Sequence, residues 1–242
     1  MDISEIMHLN IEAETINSAY LKLLDEFSSK DENYESRTAV ISIKDVYNSE
    51  LPCRVEEPFN KYYKVFINND SLEKKWNLLA DEWCLSYARR IMKKRNDIDL
   101  WTKAKEELLR NKDSRRCIII TYRDDDDLLD YLPSLLSIQF TIKSNKMNML
   151  TVWRSKELYT AFPINTLCMH SLMIKMFNEI KTQYTKLEIG IYSEIIGALH
   201  KLPGDKKPKQ FGDNLKCMDL EKVKFFWSVL ETGKEKEYDK NY

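Results

Sequence analysis

The chain has 242 residues, of which 43% are hydrophobic and 32% charged, a mixture that fills a sizeable core and excludes a disordered or fibrous chain. Its 38 Lys+Arg against 39 Asp+Glu leave a net charge of -1, which argues against a dedicated nucleic-acid binder, whose footprint is a basic excess. Only 5 Gly and 6 Pro occur, too few for a glycine-rich phosphate loop or a linker-rich architecture. Cys53, Cys84, Cys117, Cys168 and Cys217 form no CxxC pair and His is scarce, so neither a zinc site nor a disulfide framework is indicated. A reduced, cytoplasmic setting is expected. The opening residues lack the basic and apolar regions of a signal peptide, and no apolar run is long enough for a membrane span.

In chain order, residues 1–35 read as a helix ending near Phe27. Val40, Ile41, Ile43 and Val46 suggest a strand leading into a loop, and Tyr62 to Ile67 is β-rich. Asn68 to Ser71 offers turn and cap chemistry before a long helix from about Leu72 to Lys94, with Trp76, Leu79, Trp83, Tyr87 and Ile91 at helical spacing. A second helix is predicted from Asp99 to Asn111. Cys117 to Tyr122 is a continuous apolar run, expected as a strand buried on both faces. Asp124 to Asp127 is an acidic run whose adjacent side chains diverge, so it reads as a solvated loop rather than a cation site. Leu136 to Lys143 and Lys146 to Trp153 flank Ser144-Asn145 as a hairpin. Pro163 to Lys181 is a core helix, Leu187 to Ile195 a strand, Lys201 to Gly212 a loop and Asp219 to Thr232 a last helix. Helices followed by a strand-rich core with one embedded helix predict an α+β fold and one domain over residues 1–242.

Four segments stand out in chain order: Asp113-Ser114-Arg115-Arg116 before a strand; Leu132-Pro133-Ser134-Leu135-Leu136-Ser137-Ile138-Gln139-Phe140; Trp153-Arg154-Ser155-Lys156-Glu157 with Pro163-Ile164-Asn165; and Gly197-Ala198-Leu199-His200. Together they resemble the thymidylate synthase and pyrimidine nucleotide hydroxymethylase family, most strongly over residues 70–202. They lean towards the hydroxymethylase branch, where an S-I-Q-F strand and a G-S-L-H turn are familiar. The resemblance implies a mixed sheet packed by helices, a homodimer formed through that sheet, a pyrimidine nucleoside monophosphate as substrate and 5,10-methylenetetrahydrofolate as the one-carbon source.

The chemistry explains the residue types. Pyrimidine C5 is a poor nucleophile until a thiolate adds at C6 and turns the ring into an enolate. The phosphate needs planar guanidinium forks. By resemblance Arg154 and Ser155 supply one part of that clamp, and Arg115 and Arg116 supply the other from across a two-fold dimer. Asn165 reads the pyrimidine edge, its amide donating and accepting as uracil requires. His200 holds the sugar hydroxyl. Glu82, with Asp81 as its neighbour, resembles the glutamate that orders water and relays protons. Arg54 matches a mobile phosphate-loop arginine more loosely.

The departures bear on activity. Ser134 stands where the family has its nucleophilic Cys, and a hydroxyl is far less acidic than a thiol of pKa about 8.5. Three readings stay open: a replacement made to trap a complex, a natural binder without turnover, or chemistry without covalent activation. Leu202 replaces a sugar-binding Tyr, Glu157 replaces an Asp, and Ala161 stands near a family glycine. The charged segment Lys234 to Tyr242 lacks an apolar cap. An open site favours capture of the activated carbon by water, hence hydroxymethylation over methylation. Cys117 and Cys168 lie in apolar runs and read as core residues.

Overall fold

Apolar and polar residues alternating with a period of two organise the centre of the molecule. The computed structural model describes residues 8–27, 35–48, 87, 90–91, 94–95, 98–123, 132–159 and 161–201. Glu82, Arg54, most of the helix expected from Leu72, the acidic run at 124–127 and everything beyond Lys201 lie outside these residues. Tyr87, Arg90 and Ile91 are helical, and Tyr87 and Ile91 are buried.

The hairpin predicted around Ser144-Asn145 pairs β6 (Leu135–Lys143) with β7 (Lys146–Glu157), from Leu135 opposite Trp153 to Lys143 opposite Lys146. Ser144 and Asn145 take φ of 51° and 58°, the left-handed pair whose twist matches the flanking strands. β8 (Glu188–Lys201) runs parallel to β7, and β2 (Glu35–Ile43) runs antiparallel to β8. β1 (Leu9–Ala13) lies at one edge, parallel to β2, and β5 (Ile118–Ile120) at the other, antiparallel to β6. The six-stranded order is β1-β2-β8-β7-β6-β5. A separate two-residue pair, β3 (Lys94–Arg95) and β4 (Ile98–Asp99), precedes the second helix.

Among the described residues, three helices given in full supply the other side of the core: α1 (Ile16–Glu26), α2 (Leu100–Arg110) and α3 (Ala161–Ile180). Ile41, Phe140, Met149, Trp153, Tyr192 and Ile196 of the sheet are buried in one cluster with Leu23, Leu108, Leu172 and Met176 of the helices. Each helix start is satisfied locally. Thr15 and Ser18 form a reciprocal capping box on α1, and Asp99 Oδ1 accepts from Thr102 N at 2.9 Å on α2. The Glu157 carboxylate accepts from the backbone N–H groups of Tyr159 and Ala161 and so closes the start of α3. Tyr20 of α1 donates its hydroxyl to the Tyr159 carbonyl at 3.0 Å and stacks on Phe162, fixing the turn between β7 and α3. No helix among the described residues is long and apolar enough to cross a membrane.

The structure corrects the sequence reading in four places. A strand, β1, precedes α1, so the first element is part of the sheet. The run expected to be buried on both faces is the edge strand β5, whose Ile118 and Ile120 are 44% and 45% exposed while Ile119 is buried. Only its helix side is covered, and an apolar run alone cannot tell one covered face from two. Helix α3 starts at Ala161, with Pro163 tolerated in the first turn because that N–H has no intrahelical partner. Gly197 to His200 form no turn; they continue β8.

Candidate active site

The pairing of β6 with β7 sets the site. Ser134 immediately precedes β6, and its carbonyl accepts from Arg154 N at 2.8 Å. This brings the Ser134 and Ser155 hydroxyl oxygens to 3.4 Å from each other. Tyr87 completes the cradle: Ser134 N donates to its hydroxyl at 3.0 Å, and its ring meets Trp153 edge-on at 5.6 Å. Helical spacing marked Tyr87 only as a core residue; its contact with position 134 depends on a chain crossing that no local pattern encodes.

The guanidinium of Arg154 works as a strut. Nε donates to the Pro133 carbonyl at 3.1 Å, Nη2 to the Leu132 carbonyl at 2.7 Å, and Nη1 to Ser155 Oγ at 3.2 Å. Two of its five N–H donors thus hold the segment leading into Ser134, and a third holds Ser155. The remaining two belong to an exposed side chain. Among the described residues, Ser134 Oγ meets only another hydroxyl and finds no imidazole or carboxylate to take its proton.

Asn165 and His200 come to the same end of the sheet. Because β7 and β8 are parallel, their C-terminal ends coincide, with Ser155 opposite Ala198 and Glu157 opposite His200. Leu158 N donates to the His200 carbonyl at 2.8 Å, and the His200 ring lies with Nδ1 3.1 Å from the Ala198 carbonyl oxygen. Helix α3 starts just beyond, and half-buried Asn165 lies in its opening turns.

Arg115 and Arg116 are not brought to Ser134 within one chain. Gln139 Nε2 donates to the Arg115 carbonyl at 3.1 Å, which places the pair far along β6, roughly 15–20 Å from Ser134 at about 3.3 Å per residue. Both side chains are exposed. Ser114 holds their backbone: its hydroxyl donates to Glu107 Oε1 at 2.5 Å and accepts from Arg116 N at 3.1 Å. That hydrogen bond, with Arg110 and Arg116 nearby, keeps the Glu107 carboxyl below the usual range. The two described cysteines are buried. Cys117 donates to the Ala104 carbonyl at 3.1 Å, and burial pushes its thiol up to about 12, so it offers no thiolate.

The family model described as thymidylate synthase matches residues 68–201, more than half of the chain, and the chain belongs to that family. The mixed α+β architecture, among the described residues a six-stranded mixed sheet with three full helices, fits a thymidylate synthase-like fold. The chain is also similar to a protein of Methanosarcina barkeri (strain Fusaro / DSM 804) named "Putative thymidylate synthase", with 23% identity over 148 residues. That similarity covers 60% of this chain and 64% of the relative's length.

Proposed function

We propose that this site binds a pyrimidine nucleoside monophosphate, and that the chemistry it is built for is one-carbon transfer to C5, hydroxymethylation in preference to methylation, with methylenetetrahydrofolate as co-substrate. The observation that carries the reading is the cluster of Ser134, Ser155 and Arg154, which sets two hydroxyls and a braced guanidinium side by side. Such a row of donors suits a phosphate. In this reading Asn165 reads the base, a uracil in preference to cytosine, His200 contacts the sugar, and Glu82 relays protons. Position 134 faces C6. No described side chain is assigned to the folate.

The enzyme is a homodimer in this reading. Arg115 and Arg116 are too far from their own Ser134 to share its ligand, and the sheet face away from the helices exposes Val40, Ile118, Ile120, Ile191 and Ile195. A second copy on that face would bury these side chains and carry its own Arg115 and Arg116 towards the phosphate.

A hydroxyl at position 134 needs a strong base to add to C6. Its partner is another hydroxyl, and this favours a second reading, a nucleotide binder without turnover. One experiment separates the two. Ser134→Cys is incubated with CMP, dCMP, UMP or dUMP plus methylenetetrahydrofolate. A C5-hydroxymethyl product supports the enzyme; binding without product supports the binder; no binding of any nucleotide overturns both.

A further inference from the structure

Directly behind the candidate site lies a charged pair with no exposure to water. The side chains of Lys156 on β7 and Glu194 on β8 are both 0% exposed, and Lys156 Nζ donates to Glu194 Oε2. Thr166 of α3 joins them: its hydroxyl accepts from Lys156 Nζ at 3.5 Å and donates to Glu194 Oε1 at 3.4 Å. Tyr192 donates to Glu194 Oε2 at 3.0 Å, Tyr192 and Thr151 share a hydrogen bond at 2.9 Å, and Trp153 Nε1 donates to Thr151 Oγ1 at 2.9 Å. The Lys156 ammonium also rests 3.9 Å from the centre of the Trp153 ring.

Such a pair is a poor device for stability. Removing two charges from water costs about what their attraction returns, and apolar residues of similar volume often do better. Burial pulls the Lys156 ammonium below its ordinary range, with Glu194 opposing that shift. What a buried pair supplies is direction. Dispersion contacts tolerate small rotations of a helix on a sheet, whereas a desolvated carboxylate and ammonium must keep their partners.

The placement of the three residues gives that direction a use. Lys156 follows Ser155, Thr166 follows Asn165, and Glu194 lies on the strand that carries His200. Resting on the nucleotide-binding reading above, we propose that Lys156, Glu194 and Thr166 form a buried clamp that fixes the phosphate-binding strand β7, the sugar-binding strand β8 and the base-reading helix α3 in one mutual arrangement. These are positioning residues; none meets the ligand. The clamp sets how far the phosphate donors stand from Asn165, and hence which mononucleotide fits.

The test uses the full chain. Lys156→Met combined with Glu194→Leu replaces the pair by apolar side chains. Thr166→Val removes only the link to α3, and Thr166→Ser keeps it. Each variant is measured by thermal unfolding, by calorimetric titration with UMP and dUMP, and by amide hydrogen exchange. We expect the double variant to unfold at or near the parent temperature, and Thr166→Val below it, because the buried pair loses a hydroxyl partner. Both should bind nucleotide at least about tenfold more weakly and exchange faster at residues 154–157 and 163–167, and Thr166→Ser should restore both. Parent-like affinity and parent-like exchange in Thr166→Val overturn the clamp, even if the double variant fails to fold. If the parent chain binds no nucleotide, the nucleotide reading fails by itself, and the exchange comparison alone then decides the clamp.

Discussion

Ser134 and Ser155 face one another across β6 and β7, hydroxyl to hydroxyl at 3.4 Å, and Arg154 donates to the second of them at 3.2 Å. This makes position 134 the end of a row of donors. A cation two atoms away eases loss of a proton, but no described group can receive it.

Arg154→Ala should weaken nucleotide binding by well over 1 kcal/mol, since charge-assisted hydrogen bonds are worth about 1.5–3 kcal/mol each. It should also loosen the segment at Leu132 and Pro133, whose carbonyls the guanidinium braces. Arg154→Lys keeps the charge but not the fork and should recover only part of the affinity. Titration calorimetry on both variants checks this; unchanged affinity in Arg154→Ala would remove that arginine from the binding site.

Gly197→Ala tests how closely β8 approaches β7. A Cβ at this position would lie 2.9 Å from the Arg154 carbonyl oxygen, and the obstacle is backbone, which yields poorly. We expect a loss of about 1–3 kcal/mol, the usual cost of overpacking, seen as a lower midpoint in urea. Nucleotide binding should weaken in parallel because the strain falls on the backbone of Arg154.

His170 is buried with neither ring nitrogen bonded among the described residues, and its ring packs edge-on to Tyr192 at 4.8 Å. Burial, helped by the charge of Lys156, lowers its pKa from 6.5 to about 3. In the unfolded chain the same imidazole takes up its proton near pH 6.5. The stability tied to this group is thus intact above pH 6.5 and drains away as pH falls towards 3. The slope is at most about 1.4 kcal/mol per pH unit. His170→Leu should flatten that acid slope in urea titrations at pH 7, 6 and 5. An equally steep slope in the variant would show that other groups carry it.

Ile195→Asp with Ile120→Asp tests the open sheet face. Both isoleucines point away from the helices, at 38% and 45% exposure, so a charge there costs the lone protomer little. Light scattering should report a dimer for the parent chain and a monomer for the variant. Its fold should be intact by circular dichroism and its nucleotide affinity reduced. A dimeric variant would exclude this face as the interface.

Much of the architecture was legible in the sequence wherever a single face and a local signal agreed. Asp99 and Asn111 bracket α2 as its caps, Ser144-Asn145 turns the hairpin, and the apolar run after Ala161 forms a buried helix. β1 was missed because five alternating residues ahead of a helix are a weak signal. β5 was placed too deep because burial on one face or two depends on what packs outside the strand. The motif segments named Ser134, Arg154 and Ser155 one by one, but nothing local says that they touch.

By itself, the sequence determined the periodicities, the caps, the family motifs and the serine at position 134, because these are properties of neighbouring residues. Only the tertiary structure decided that Arg154 braces the segment before Ser134, that Tyr87 completes the cradle, that Arg115 and Arg116 stand apart from it, and that Lys156 meets Glu194 in the core. These contacts join strands and helices far apart in the chain. They arise from strand register and from the cost of leaving a buried polar group unpaired, which operate only once the chain has closed on itself.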